Sequence, residues 1–190
     1  INKQDMIEIG ELILAGFFFF TPVQAAPVEF SNSKDDDSVT CLALNMYYEA
    51  RGQGTAGLLA VSYVVLNRVK DKRFPNTICG VIKQGPVRES WKKNGKYYPI
   101  RDRCQFSWYC DGKSDTPKEK KLYKKLLTIS KALIYNIKDS FIDITDGALF
   151  YHAYYVTPAW SKVKYRTARI GDHIFYRWEA FIDDVGDGEH

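Results

Sequence analysis

Apolar residues recur at helical spacing through the first two thirds of the chain and at strand spacing near its end. Over residues 38–51, Val39, Leu42, Met46 and Glu49 fall three, four and three apart, so they share one helix face. Ser38 is placed to cap that helix and Gly52 to stop it. Thr55 caps a second predicted helix over residues 56–70. Its centre (LLAVSYVVL) is apolar nearly all round, which puts it in the core, although its β-branched run also suits a strand. A turn at residues 74–77 leads to a short helix over 78–84. Residues 85–115 show neither period and read as a long irregular segment, of a kind that is usually functional or cross-linked. Thr116-Pro117-Lys118-Glu119 then has the form of a capping box. It predicts a helix to about Ile137 with Leu122, Leu126, Ile129, Leu133 and Ile137 on one stripe. Lys118, Lys121 and Lys125 fall largely outside that stripe, as a solvated face would. The end turns to strand chemistry: residues 148–155, then a hairpin about Gly171-Asp172 flanked by Ile170 and residues 173–176.

The chain before residue 38 has another character. Residues 12–20 (LILAGFFFF) are a nine-residue apolar block, too short to span a bilayer, and small residues follow as signal cleavage before Ala26 would require. Asp5, Glu8 and Glu11 are unusual ahead of an export signal, so a packed or membrane-lying segment is the competing reading. The organisation expected is an export signal or apolar segment over 1–25, a linker over 26–37, a single domain over 38–182 and an acidic tail over 183–190. No apolar run reaches membrane-spanning length, so no stable span is expected. The net charge is +4, but without residues 1–25 and the last eight the body holds 26 bases against 16 acids. That favours an anionic partner without choosing among wall, nucleic acid and acidic lipid. No nucleic-acid-reading motif is present. The four cysteines (41, 79, 104 and 110) suit an oxidised, exported chain, with Cys104 and Cys110 the short-loop pair. Their spacing matches no common zinc site, and buried free thiols stay open as an alternative.

Candidate chemistry centres on Glu49. It ends an apolar stripe in the last turn of its helix. Desolvation and the negative helix C-terminus both disfavour its ionised form, and a general acid near neutral pH needs that. Pairing with Arg51, or exposure just past the stripe, would remove the effect. A second arrangement sets Cys41, in a first helical turn, beside His152 or His173 as a Cys–His peptidase. Cys41 also reads as core among Val39, Leu42 and Leu44. No metal or cofactor motif is present.

Seven segments occur in a telling order: YYEARG (47–52), VSYVVLNRV (61–69), FPNTICGVI (74–82), QFSW (105–108), GALFYHA (147–153), VTPAW (156–160) and IGDHIFYR (170–177). The series resembles the SleB-type cell-wall hydrolases, the family of the spore-cortex lytic enzyme, over roughly residues 39–178. The resemblance implies a mainly helical α+β, lysozyme-like domain with a small β-sheet or hairpin near the C-terminus. It implies cleavage of peptidoglycan glycan strands between N-acetylmuramic acid and N-acetylglucosamine, in the manner of a lytic transglycosylase. Glu49 would be the catalytic acid, and Gln105, Phe106, Ser107, Tyr151 and His152 would line the groove, with Phe106 equally suited to core packing. No cofactor or metal is implied, and a monomer exported to periplasm, wall or medium, or a phage lysin, is expected. A Cys–His wall peptidase and a non-catalytic wall-binding or virion protein are the rival readings. No clear carboxylate partner for Glu49 emerges, because Asp102 sits between Arg101 and Arg103 and Asp143 and Asp146 suit a turn. The chain departs from the pattern in lacking an obvious separate wall-binding repeat and in carrying a basic, aromatic insert over 85–104. Trp91, Lys92, Lys93, Lys96, Tyr97 and Tyr98 in that insert suit wall binding or a disulfide-pinned surface loop.

Overall fold

In the computed structural model, which describes residues 33–136 and 142–178, a long helix α1 (Ser33–Ala50) is the hub. It packs against α2 (Gly54–Lys70), a short α3 (Ile78–Ile82) and α4 (Lys120–Asn136). The predicted stripe explains why: Val39, Leu42 and Met46 are fully enclosed, as are Val61 and Val65 of α2 and Leu126 and Leu133 of α4. The Cys41–Cys79 disulfide ties α1 to α3, and Cys104–Cys110 closes a small loop. Both pairs exclude a zinc site or free thiols at these positions. Thr77 caps α3 by accepting a hydrogen bond from the Gly80 N–H at 3.1 Å.

Several boundaries differ from expectation. The first helix begins at Ser33, inside the stretch read as linker, because an acidic run suits the positive end of a helix as well as it suits a linker. The second is helical throughout, and Gln53, not Thr55, precedes it. The Thr116–Glu119 capping box does not form. Glu119 accepts from the Tyr47 hydroxyl at 3.5 Å and faces Arg51 at 3.8 Å, while the Thr116 hydroxyl pairs with Ser114. The fourth helix therefore starts at Lys120. Within the segment read as irregular, β1 (Val87–Glu89) and β2 (Tyr97–Pro99) form an antiparallel hairpin, followed by a 3₁₀ turn at Ser107–Cys110. Ile137, the N-terminal apolar block and the acidic tail lie outside the described residues.

Near the C-terminus β3 (Phe150–Ala153), β4 (Tyr165–Ile170) and β5 (His173–Arg177) form an antiparallel sheet with β5 in the centre. Tyr151 stands opposite Phe175, and His152 opposite Ile174. Neighbouring strand residues face opposite sides. Phe175, with Tyr151 and Ala168 beside it, packs on Ala60 and Val64 of α2. Gly171 makes the β4–β5 turn at φ +56°, and Gln53 clamps it by bonding both the Asp172 carboxylate (2.8 Å) and its backbone N–H (2.9 Å). A Cβ at Gly171 would stand 2.5 Å from the Gln53 amide oxygen. The mainly helical α+β class, with its small sheet near the C-terminus, is thus the one the chain adopts.

Candidate active site

The α1 stripe carries Glu49 to the point where the helix meets the sheet. There the Tyr151 hydroxyl donates to Glu49 Oε2 at 2.8 Å, from a residue 102 positions later. The carboxyl is half-buried. Burial pushes its pKa above the ordinary glutamate value, while the Tyr151 hydrogen bond and the charge of Arg68 pull the other way and do not cancel the rise. Among the described residues no other carboxylate contributes. Arg51 does not neutralise it either. That guanidinium lies 4.9 Å from the Tyr47 ring centre and 3.8 Å from Glu119. Tyr151 itself is held protonated, its pKa well above the usual phenol value through burial and the neighbouring Glu49 charge.

The structure separates the other predicted residues. Tyr151 comes to Glu49, but His152 faces the opposite side of the sheet. There its Nε2 is 3.0 Å from the Tyr176 hydroxyl and its ring stacks on Tyr176 and meets Trp160 edge-on. Phe106 is 3% exposed and packs in the main core, 5.6 Å from the Arg68 guanidinium. Gln105 and Ser107 are exposed on either side of it. Trp108 anchors this segment to α1 by stacking on Tyr48, with centres 5.0 Å apart, and by donating to Asn45 Oδ1 at 3.2 Å. The Cys–His arrangement is corrected outright: Cys41 is bonded to Cys79 and has no thiolate to offer. Asp143 shapes its turn as expected, accepting from the Thr145 and Gly147 N–H groups, and Asn67 also donates to it at 2.7 Å. Asp102 lies 3.5 Å from Arg101.

Arg68 was not foreseen. It is 2% exposed, donates from Nε to the Leu149 carbonyl at 2.7 Å, and is ringed by Phe74, Phe106 and Phe150. Burial lowers its pKa to about 10, so it stays cationic. The available signal was that Arg68, one of two cations in the last turn of α2, falls in step with Val61, Val64 and Val65, whereas Lys70 does not. Beside the end of α1, a cleft of about 540 Å³ is lined by Tyr47, Tyr48, Arg51, Trp108, Asp111 and Glu119 among others, and Glu49 is not in that lining. Among the described residues no cluster of three His, Cys, Asp or Glu could hold a metal ion.

The Cell Wall Hydrolase family profile matches residues 52–176. The chain belongs to the cell wall hydrolase family. This is the family to which the seven ordered segments pointed, although the matched stretch begins three positions after Glu49. Spore cortex-lytic enzymes of Bacillus cereus (38% identical over 61 residues) and Bacillus subtilis (41% over 56) are similar to it. Those matches cover 32% and 30% of this chain, and only 24% and 17% of the relatives' own lengths. The fold of this cell wall hydrolase is similar to the catalytic domain of the germination-specific lytic transglycosylase SleB from Bacillus anthracis. There the TM-score is 0.50 and the identity 27%, over 80% of this chain and 99% of that one. The lysozyme-like expectation for the fold holds.

Proposed function

We propose that this domain degrades peptidoglycan by breaking the glycan strand between N-acetylmuramic acid and N-acetylglucosamine, as a lytic transglycosylase with Glu49 as its one acid and base. The observation that carries the reading is the setting of Glu49: half-buried, raised in pKa, bonded on one oxygen by Tyr151 and, among the described residues, without a second carboxylate acting on it. Glu49 protonates the glycosidic oxygen as the C1–O bond of the muramic residue breaks. The glucosamine leaves as an alcohol, and Glu49 is left as a carboxylate. The muramic C6 hydroxyl then bonds to C1 and gives its proton to that carboxylate, closing a 1,6-anhydro ring and restoring the acid. A hydrolase that uses water places a second carboxylate as base or nucleophile. Without one, the tethered hydroxyl is the better-placed attacker through its high effective concentration. Arg68 and Tyr151 favour the carboxylate form between the two steps. Exposed Gln105 and Ser107 are the proposed glycan contacts of the 105–107 segment.

The test is digestion of purified peptidoglycan in heavy-oxygen water, followed by mass spectrometry. Unlabelled anhydromuramic ends are expected. Heavy oxygen in new reducing muramic ends would make the enzyme a hydrolase, and freed peptide amines would make it a peptidase. Glu49→Gln, which keeps the shape and loses the proton, is expected to lower turnover by at least about 10²-fold. Near-normal turnover in the folded variant would remove Glu49 from the mechanism.

A further inference from the structure

The β1–β2 hairpin contains none of the residues assigned to the glycan chemistry. All three β1 residues and the first two of β2 are exposed, so neither face of the ribbon is covered. Two-stranded ribbons are marginal alone, and this one is held at its base. The Ile100 N–H donates to the Pro86 carbonyl at 2.9 Å, the Gln105 N–H to the Gln84 carbonyl at 2.8 Å, and the Cys104–Cys110 bridge lies just behind. Its tip is also ordered. The Ser90 N–H donates to the Lys96 carbonyl at 2.7 Å, and the Gly95 N–H to the Glu89 carboxylate at 2.8 Å. At that tip Trp91 is 89% exposed, with the Lys92 ammonium 4.7 Å from its ring centre. Tyr97 and Tyr98 follow, also exposed. Arg88, Lys92, Lys93 and Lys96 have no carboxylate partner among the described residues. Over residues 85–104 six bases face two acids, a surplus of +4 that equals the net charge of the whole chain.

Two classes of anionic surface fit that charge, and the placement of the rings separates them. A glycan chain needs rings presented on one face to stack on. Tyr97 and Tyr98, as strand neighbours, face opposite sides, paired with Glu89 and Arg88 respectively, and Trp91 lies beyond both. Rings distributed around a tip, with lysines among them, are the composition of the water–bilayer interface. We propose that this hairpin docks the protein on an anionic lipid surface, with Trp91 in the headgroup layer and Arg88, Lys92, Lys93 and Lys96 against its phosphates. The inference does not depend on which bond the enzyme breaks.

The test is co-sedimentation of the full chain with phosphatidylcholine vesicles, with and without phosphatidylglycerol, and in parallel with purified wall sacculi. Between the two kinds of vesicle, binding is expected only to the one containing phosphatidylglycerol. It should weaken as salt rises and bring a blue shift of tryptophan emission that Trp91→Phe removes. The double variant Lys93→Glu/Lys96→Glu should weaken it at least about tenfold. Lys121→Gln/Lys125→Gln, which removes two exposed charges of α4, should change it about twofold at most, within ordinary screening. Unchanged melting would show that the hairpin variants fold. Vesicle binding that survives both hairpin variants arises elsewhere in the chain and overturns the proposal. No vesicle binding overturns it too, as would hairpin variants that weaken only sacculus binding and so mark a wall-polymer contact.

Discussion

Holding a carboxyl where burial resists its ionisation makes the fold itself sensitive to pH. The folded Glu49 pKa lies above its unfolded value, so between the two the native state binds the extra proton. Glu49 therefore favours folding fully below the unfolded pKa, and that contribution is lost as pH rises through the folded pKa. An amide has nothing to ionise, so Glu49→Gln should melt higher than the parent at neutral pH, with the gap closing under acid. Calorimetry across pH checks this, and a gap that widened in acid would contradict it. Tyr151→Phe removes the hydrogen bond that partly stabilises the carboxylate. The alkaline limb of the activity profile should then move to higher pH, read from turnover against pH. Glu49 was legible in the sequence because an acid in step with Val39, Leu42 and Met46 must meet the core. Arg68 was not, because a cation at a helix end ordinarily reaches water. Its burial depends on the Leu149 carbonyl 81 residues away. The opposite facing of Tyr151 and His152 follows from strand period alone. Which of them meets Glu49 depends on which sheet face packs on α2, and no local pattern states that.

The elements divide by what specifies them. Helices α1, α2 and α4 follow from their apolar spacing, and so does the β4–β5 turn from Gly171-Asp172. Their ends were misread wherever a side chain found a distant partner. Glu119 turns to Tyr47 instead of closing a capping box, and Gln53 reaches across to Asp172. The β1–β2 ribbon was missed because its three-residue strands, exposed almost throughout, carry no hydrophobic alternation. The Gln53 clamp makes the β4–β5 turn exacting. Gly171→Ala would place a Cβ at positive φ and against the Gln53 amide oxygen, so a loss of about 1–2 kcal/mol or more is expected. Gln53→Ala should relieve the clash but not the backbone strain. Denaturant unfolding of the single and double variants separates the two, and full recovery in the double variant would show that strain plays no part.

Across the whole molecule, the two disulfides close loops of very different size. Cys41 and Cys79 are 38 positions apart, Cys104 and Cys110 only six. Chain entropy assigns roughly 4 kcal/mol to the first loop and roughly 2 to the second. Cys41→Ser/Cys79→Ser should therefore lower the melting temperature more than Cys104→Ser/Cys110→Ser does, and the reverse order would show that the small loop holds more than its own ends. The two loops also neither overlap nor nest. Four cysteines admit three connectivities, and this is the one in which they pair in order along the chain, first with second and third with fourth. A polypeptide threading into an oxidising space from its N-terminus would expose Cys41 first and Cys79 next, and that bond could close before Cys104 emerged. Cys104 would then meet only Cys110. Order of arrival alone selects the native pairing, so a chain with this bridge pattern can mature with a simple oxidant and without a disulfide isomerase.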